Sequence, residues 1–302
     1  MHIQKKIDDD RDLYLLTVIE SKGSAPGRRG FMMIVDDANE LYGSIGGGIM
    51  EYKLVEKAKN LLKQKKLHSF CIKQIHRGDA QSSSGMICSG EQTIAFTPLS
   101  KKQQDLVLSL ADAAMIEITQ HGIQPIADLT EESCLIESDL KWYYTQRQQQ
   151  SKTVHLFGAG HVSVPTSELL NKLGFQVRLY DNRQNINTYR DNHWVVSKQI
   201  VDYSHIHQSI VFAENDYIVL MTHKFTEDKL ILSQLLNEKC AYLGVLGSKN
   251  KIKVMFNALI KEKYKQDDLD KVYAPIGLDI HSQTTTEIAV SIVAQVIKIN
   301  NG

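Results

Sequence analysis

A glycine-rich turn between a short apolar strand and a helical segment constrains the fold of this chain more than any other feature. Gly158-Ala159-Gly160-His161-Val162-Ser163 directly follows the apolar stretch Thr153–Phe157 and opens a segment with helical spacing. The first glycine permits a tight turn, and the second lets the backbone approach a pyrophosphate. Free N–H groups at the start of the helix then face the anion. The pattern therefore predicts a Rossmann-type dinucleotide-binding domain in which Gly158, Gly160 and His161 bind the cofactor.

The residues after the next predicted strand indicate how a ligand of this turn would be held. Asp181 lies where a dinucleotide-binding domain uses a carboxylate to accept hydrogen bonds from ribose hydroxyls. Arg183 would instead favour a 2′-phosphate. A fold does not by itself assign a ligand. The alternative interpretation is a doubly wound domain in which the glycines only make the turn.

The C-terminal half alternates apolar strands with helical segments. The predicted strands are Thr153–Phe157, Gln176–Tyr180, His193–Ser197, Tyr217–Met221 and Tyr242–Leu246, and the predicted helices are Val162–Leu173, Glu227–Leu236, Lys249–Ile260 and Thr284–Ile297. This order is typical of βαβ units. It predicts an α/β fold with a Rossmann-like doubly wound parallel sheet.

One histidine in this half stands where α/β sheets bind ligands. His223 directly follows the strand Tyr217–Met221, at its carboxyl end. A nicotinamide-dependent oxidoreductase needs an acid/base group within reach of its cofactor, and His223 suits that role. A loop histidine without chemistry is the alternative.

The N-terminal half predicts a smaller α+β domain. The predicted strands are Leu13–Glu20, Phe31–Val35, Leu41–Ile45, Phe70–Ile75 and Gln92–Phe96, the last stopped at Pro98, and the predicted helices are Met50–Lys63 and Lys101–Gln120. The polar stretch Tyr143–Lys152 is the best linker candidate. We therefore expect an N-terminal domain over residues 1–142, a linker over 143–152 and the Rossmann-like domain over 153–302.

A second glycine turn gives the N-terminal half its own candidate site. Gly46-Gly47-Gly48 precedes a helix, and such a nest of backbone N–H groups favours phosphate or another anion. Ser24 and Arg28 lie on the Pro/Gly loop after the first strand, and their donors would converge on the same pocket if the strands pair. Glu51 completes the candidate set. Its alternative role is to stabilise the helix start, where a carboxylate complements the helix dipole.

One cysteine lies in a glycine-flanked turn. Cys88 belongs to Gly85-Met86-Ile87-Cys88-Ser89-Gly90, where an accessible thiol could ligate a soft metal or accept sulfur if its thiolate is stabilised. An inert thiol is the alternative. The sequence shows no His, Cys and carboxylate set with the spacing of a built-in zinc or iron site.

Composition and charge argue against several classes of protein. The 302 residues include 35 basic and 35 acidic side chains, whereas nucleic-acid binders usually show a basic excess. The start of the chain lacks the apolar core of a signal peptide, and no stretch has the roughly 18 apolar residues of a spanning helix. The four cysteines are far apart, which is typical of a reducing compartment. We therefore expect a cytoplasmic protein with neither a membrane nor a nucleic-acid partner.

These motifs occur together in one known family. The matching stretches are Gly23–Gly27, Gly43–Glu51, Gly85–Gly90, Phe157–Val162, Met221–His223, Leu246–Lys249, Pro275–Ile280 (PIGLDI) and Thr286–Ile292 (TEIAVSI). In this combination the chain resembles the XdhC/CoxI family, the accessory proteins for maturation of xanthine dehydrogenase and other molybdenum hydroxylases. Ile49 stands where the family commonly has a cysteine, so Cys88 is the remaining sulfur-bearing candidate at a matched position. The resemblance implies that Cys88 contacts molybdenum or its sulfur.

The resemblance implies a chaperone of the molybdenum cofactor (molybdopterin) without turnover of its own. It implies that the cofactor is protected while a cysteine desulfurase partner installs a terminal sulfur, and is then handed to the apo-hydroxylase. It also implies a homodimer with a Rossmann C-terminal domain. Two alternatives stay open: an NAD(P)-dependent oxidoreductase that uses the Rossmann domain, and an interaction scaffold with a vestigial nucleotide fold.

Overall fold

The chain divides into two compact units, Met1–Gln150 and Ser151–Gly302, which are described separately below. The computed structural model describes residues 11–38, 40–76, 90–100, 103, 106, 109–110, 113–127, 131–139, 141–147 and 151–302. Within these ranges, every helix is too short or too polar to cross a membrane.

Two antiparallel sheets and one long helix build the N-terminal unit. The strands are β1 (Leu13–Gly23), β2 (Met32–Asp36), β3 (Leu41–Gly43), β4 (Phe70–His76), β5 (Gly90–Leu99), β6 (Met115–Thr119), β7 (Gly122–Ile126), β8 (Cys134–Ser138) and β9 (Lys141–Arg147), and the helix is α1 (Gly48–Lys63). The first sheet has the order β3-β2-β1-β5-β4, and the second has the order β7-β6-β9-β8.

Residues 13–19 of β1 are all buried, because the first sheet lies between the helix and the second sheet. Successive side chains of a strand point to opposite faces. Tyr14, Leu16 and Val18 belong to one core cluster with the buried stripe of α1. That stripe consists of Leu54, Val55, Ala58 and Leu62, the spacing of one helix face. The other face of β1 joins a second cluster, with Leu13, Leu15, Ile19, Ile116, Ile118, Trp142 and Tyr144.

The predicted helix Lys101–Gln120 is wrong at its C-terminal end. Met115–Thr119 forms strand β6, which lies between β7 and β9. Ile116 and Ile118 are buried on either side of the less buried Glu117, a period-two pattern that fits a strand. In such a short run, the apolar residues fit the periodicity of a helix as well as that of a strand, and only the neighbouring strands show which structure forms.

The first half of the predicted linker is also wrong, because Tyr143–Arg147 lies within strand β9. Trp142 and Tyr144 are 2% and 1% exposed and anchor that strand in the core. Their alternation with exposed neighbours is a strand signal, which the surrounding glutamines obscure in the sequence.

Pro98 does not stop the preceding strand as predicted, since β5 continues to Leu99. Pro98 lies opposite Tyr14 of β1, while the pairing of β5 with β4 ends at Phe96. A proline is tolerated where a strand has a neighbour on one side only, because its missing N–H removes no ladder hydrogen bond there.

The C-terminal unit confirms the predicted Rossmann-like architecture. Its elements are β10 (Thr153–Phe157), α2 (Ser163–Lys172), β11 (Gln176–Asp181), α3 (Asn187–Arg190), β12 (Ser197–Ile200), a 3-10 helix (Tyr203–Gln208), β13 (Tyr217–Leu220), α4 (Phe225–Leu235), β14 (Tyr242–Val245), α5 (Lys249–Lys261), α6 (Gln266–Leu269) and α7 (Thr285–Asn300). The sheet has the order β12-β11-β10-β13-β14, and all of its pairs are parallel. The order reverses beside β10, which creates the crevice where such sheets bind ligands.

Helices cover both faces of this sheet. One core cluster includes Leu170 of α2 and Ile292, Val293 and Val296 of α7. The cluster on the other face includes apolar side chains of α4 and α5. The weak strand predicted over His193–Ser197 is displaced toward the C-terminus, because β12 pairs with β11 only over Ser197–Ile200.

The PIGLDI and TEIAVSI motifs hold each other in place. The hydroxyl of Ser291 in TEIAVSI donates to the carbonyl of Leu278 in PIGLDI at 2.5 Å. The N–H of Gly277 donates at 2.8 Å to Oε1 of Gln295, which follows TEIAVSI on α7. Gly277 has φ +97°, and a Cβ atom there would overlap the hydroxyl of Ser291. This pair of motifs therefore fixes the segment before α7, which is a structural role.

Candidate functional site

Two glycines of the C-terminal turn have different surroundings. Gly158 has φ +105°, and a Cβ atom there would lie 2.7 Å from Cα of Thr222 and closer still to the carbonyl of Met221. A Cβ atom on Gly160 would meet no atom within 4 Å. Gly158 thus lets β10 and β13 end in contact, whereas Gly160 faces open space.

Some backbone N–H groups of the turn are paired within the chain, and others are available to a ligand. The N–H of Gly158 donates to the carbonyl of Tyr180 at 2.8 Å. The N–H groups of Gly160, His161 and Val162 donate no hydrogen bond to any of the described residues. Unpaired N–H groups at the start of α2 favour an anion.

The turn opens into a cleft of about 410 Å³. Gly160, His161, Arg183 and His223 all line it, so the structure brings together most of the predicted C-terminal site residues. The side chains of both histidines are exposed. Gly158 and Asp181 lie behind the lining and do not face the cleft.

The predicted ribose-binding role of Asp181 does not fit its surroundings. Its Oδ2 accepts the N–H of Ala159 at 2.7 Å, and its Oδ1 accepts the N–H of Arg183 at 2.8 Å. The guanidinium of Arg183 adds two bonds of 2.9 Å, one to each oxygen. Burial alone would raise the pKa of Asp181, but these hydrogen bonds outweigh it and hold the pKa below its ordinary value. The fully buried carboxylate therefore fixes the turn and Arg183.

A buried network that the sequence analysis missed supports the loop of His223. Asp228 is fully buried and accepts the hydroxyl of Thr222 at 2.7 Å, its N–H at 2.9 Å and the amine of Lys251 at 2.7 Å. Asp228 lies on the buried face of α4, three residues before Ile231. A carboxylate on an apolar helix face is the signal that predicts such a paired, buried charge.

The triple-glycine turn of the N-terminal unit is not the open anion nest that was predicted. Oε2 of Glu51 accepts the N–H groups of Ile45 and Gly47 at 2.8 and 2.9 Å and the hydroxyl of Ser44 at 2.8 Å. The N–H of Gly46 donates to the hydroxyl of Ser44 at 3.1 Å. The carboxylate of Glu51 is thus the anion that these N–H groups bind, which agrees with its alternative role of stabilising the helix start.

The glycine conformations and the titration of Glu51 fit this arrangement. Gly46, Gly47 and Gly48 have φ of 128°, 75° and 69°, a region that favours glycine. Burial acts to raise the pKa of Glu51, but hydrogen bonds from Gly47, Ile45 and Ser44 together outweigh burial, so the pKa lies below its ordinary value. The carboxylate is therefore ionised at neutral pH and holds the turn closed.

The Pro/Gly loop that carries Ser24 and Arg28 does adjoin the triple-glycine turn. A Cβ atom on Gly46 would lie 2.6 Å from the backbone nitrogen of Gly27. The N–H of Gly27 donates to the buried side chain of Gln92 at 3.0 Å, which anchors the loop on β5. The side chains of Ser24 and Arg28 are exposed. The loops meet as predicted, but through their backbones.

Cys88 lies outside the described residues, so its predicted contact with molybdenum or sulfur stays a prediction. Burial raises the pKa of Cys71 to about 11, and it also raises the pKa of Cys134 and Cys240. These thiols stay protonated at neutral pH and make poor metal ligands. In the described part of the chain, no three His, Cys, Asp or Glu side chains could hold a metal ion together.

Known proteins resemble the chain over nearly its whole length. A relative from Bacillus subtilis, described as a probable subunit of xanthine dehydrogenase, is 23% identical over 322 residues, which cover 97% of this chain and 94% of the relative. Another, the uncharacterized protein YqeB of Escherichia coli, is 21% identical over 285 residues, or 94% of this chain. This chain spans only 43% of the length of YqeB.

A solved structure shares the fold. A crystal structure from Bacillus halodurans, described as a xanthine dehydrogenase, superposes with a TM-score of 0.77 at 20% identity. The match covers 99% of this chain and 95% of that one.

Two family models match separate parts of the sequence, one in each unit. The model of the XdhC Rossmann domain matches residues 154–296, which include the glycine turn and its cleft. The model of the XdhC and CoxI family matches residues 7–70, which include the triple-glycine turn. Together with the shared fold, these matches confirm the resemblance: the chain belongs to the XdhC and CoxI family.

Proposed function

We propose that this chain is an accessory protein of a xanthine dehydrogenase-type molybdenum hydroxylase and that it holds the phosphate-bearing molybdenum cofactor in its C-terminal cleft. The family and the xanthine dehydrogenase descriptions of its relatives support the accessory role. One observation carries the cofactor assignment: Gly160, His161 and Val162 line a cleft of about 410 Å³ together with Arg183, and their N–H groups have no acceptor among the described residues.

The cleft suits a phosphorylated ligand of moderate size. Small-molecule pockets typically measure about 300–1,000 Å³. Backbone N–H groups at a helix start and a guanidinium are the donors that phosphate prefers. Molybdopterin carries a phosphate, so the N–H groups of Gly160, His161 and Val162 would hold that end of the cofactor.

We further propose a metal contact for Cys88 and two partner proteins for the chain. Cys88 would contact molybdenum or its terminal sulfur, since the described thiols are disfavoured as thiolates. A cysteine desulfurase would supply the sulfur, and the apo-hydroxylase would receive the finished cofactor. The carrier would act in the cytoplasm as a homodimer.

The direct test is activation of an apo-hydroxylase. Apo-xanthine dehydrogenase is incubated with the purified chain from a molybdenum-replete host, and its recovered activity is measured. Gly160→Asp should abolish activation because it places a carboxylate where the phosphate lies. Gly160→Ala is the matched control, since a Cβ atom there meets nothing. Equal activation by the wild type and Gly160→Asp would refute the proposal.

An NAD(P)-dependent oxidoreductase is the second candidate, and the position of His223 favours it. His223 lines the same cleft as the glycine turn, within reach of a ligand bound there. This candidate predicts oxidation of NADPH or NADH with an electron acceptor, and loss of that turnover in His223→Gln. A cofactor carrier shows neither NAD(P)H oxidation nor a dependence of such turnover on His223.

A further inference from the structure

The buried carboxylate at the end of β11 has no capacity left for a ribose. An ionised carboxylate offers about four acceptor positions. Asp181 uses them for the N–H of Ala159, the N–H of Arg183 and two guanidinium donors of Arg183, all within 2.9 Å. A ribose diol that approached this point would find no free acceptor.

The same bonds fix the guanidinium of Arg183 at the wall of the cleft. A guanidinium has five N–H donors, and Asp181 engages the one on Nε and one on Nη2. The donors on Nη1 and the second donor on Nη2 meet no acceptor in the described part of the chain. The side chain of Arg183 is 36% exposed and lines the cleft together with Gly160 and His161.

We infer that Arg183, oriented by Asp181, makes this cleft selective for ligands that carry a phosphate monoester and against ligands that present a ribose diol there. The inference deepens the proposed function, on which it rests only for the identity of the cofactor. Asp181 is a positioning residue, because it acts through Arg183 and the turn.

Both the charge and the geometry of Arg183 favour a phosphate monoester. Arginine binds phosphate through two parallel N–H donors, and these bonds are about twice as strong as neutral ones. A guanidinium already held by a buried carboxylate loses little side-chain entropy when the phosphate binds. Two sources supply a phosphate monoester: the terminal phosphate of molybdopterin and the 2′-phosphate of NADP. NAD carries a ribose diol at that position and no monoester.

The experiment compares the two sources on the same set of variants. Isothermal titration calorimetry measures the affinities for NADP⁺ and NAD⁺. Fluorescence of the oxidised pterin measures the molybdopterin that copurifies with each variant. The variants are Arg183→Gln, Arg183→Lys and the control Arg190→Gln. The guanidinium of Arg190 likewise donates two hydrogen bonds to the carboxylate of Asp191, at 2.8 and 3.1 Å, but Arg190 does not line the cleft.

Arg183→Gln should weaken binding of at least one monoester ligand tenfold or more and leave the affinity for NAD⁺ unchanged. The affinity of Arg183→Lys for that ligand should lie between those of Arg183→Gln and the wild type, because lysine keeps the positive charge but lacks the parallel N–H donors of a guanidinium. The ligand that responds identifies the source. Melting temperatures near that of the wild type exclude unfolding as the cause.

Two results overturn the inference: neither monoester ligand responds to Arg183→Gln, or Arg190→Gln has the same effect. These failures are distinct from failure of the proposed function. If NADP⁺ is preferred through Arg183 but no molybdopterin copurifies, the carrier proposal falls and the phosphate selectivity stands. If molybdopterin is retained equally by all variants and NADP⁺ shows no response, the selectivity falls and the carrier stands.

Discussion

At the scale of single residues, glycines of one turn differ in what surrounds them. Gly158 combines φ +105° with close approach to the end of β13, whereas Gly160 borders open space and has an ordinary φ. We expect Gly158→Ala to lower the free energy of unfolding by more than about 2 kcal/mol, since strain and overlap add. Gly160→Ala should change it by less than about 0.5 kcal/mol. Urea unfolding checks both, and equal losses would contradict the assignment.

The carboxylate of Glu51 gives a second prediction at this scale. It accepts three hydrogen bonds from the triple-glycine turn and its flanks, so Glu51→Gln should lower the free energy of unfolding at pH 7 by about 1–2 kcal/mol. Because the folded pKa is lowered, this stability is present above the ordinary pKa of 4.5 and is lost as the pH falls through the folded pKa. Urea unfolding at pH 7 and under acidic conditions measures the difference.

Glu56→Gln is the matched control, since Glu56 lies on the same helix and its carboxylate pairs, among the described side chains, with Lys59 alone, at 3.2 Å. If both variants lose the same free energy of unfolding, the hydrogen bonds between Glu51 and the triple-glycine turn are not the cause. A gain of phosphate affinity without loss of stability in Glu51→Gln would show that the turn is a ligand site after all.

The sequence predicts which residues form the two glycine turns, but it does not predict which hydrogen bonds these residues already make within the chain. The glycine spacing correctly indicates a turn with exposed N–H groups at Gly160. Nothing in the sequence shows that Arg183 occupies acceptor positions of the Asp181 carboxylate, or that the Glu51 carboxylate accepts the N–H of Gly47. Both outcomes depend on distances between residues that a linear pattern leaves undetermined.

At the scale of elements, the buried charge on α4 supports the loop between β13 and α4. Asp228 neutralises Lys251 and holds Thr222, which directly precedes His223. We expect Asp228→Ala to lower the free energy of unfolding by about 3 kcal/mol, the lower end for a broken buried pair, because Lys251 remains 27% exposed. Chemical unfolding measures this loss. Asp267→Ala, which changes an exposed side chain of α6, should have almost no effect.

The elements that the sequence predicts well are those with one dominant periodicity. β10 is found as predicted, and α1 and α5 begin and end within two residues of their predicted bounds. β6 and β9 were missed because short strands compete with helical or polar interpretations until their partners are known. Pairing in a sheet is non-local, so the alternation of strands and helices predicted a parallel sheet in the C-terminal unit but not the order of its strands.

At the scale of the whole molecule, each unit has cores of its own, and one buried histidine couples the stability of the C-terminal unit to pH. His155 is 1% exposed, with Nε2 2.9 Å from Asp216 and Nδ1 3.1 Å from the hydroxyl of Tyr180. Burial lowers its pKa below 6.5 more than Asp216 raises it. The neutral ring is therefore favoured in the folded state.

The free energy of unfolding should accordingly fall as the pH is lowered. The contribution of His155 is fully present above pH 6.5, where the unfolded ring is neutral as well, and is lost as the pH falls through the folded pKa. Urea unfolding of the wild type and His155→Gln at pH 7.5 and at about pH 5 measures the difference. His193→Gln is an exposed control. An identical pH dependence in His155→Gln would contradict the assignment.

The central claim is that the glycine turn of the C-terminal unit holds a phosphate-bearing cofactor. The most direct measurement is mass spectrometry of the small molecules released by denaturing the chain, purified from a molybdenum-replete host, for the wild type and Gly160→Asp. We predict a phosphorylated pterin at near-equal molar amount in the wild type and its absence in Gly160→Asp. Equal amounts in both proteins, or no phosphorylated ligand in the wild type, would contradict the claim.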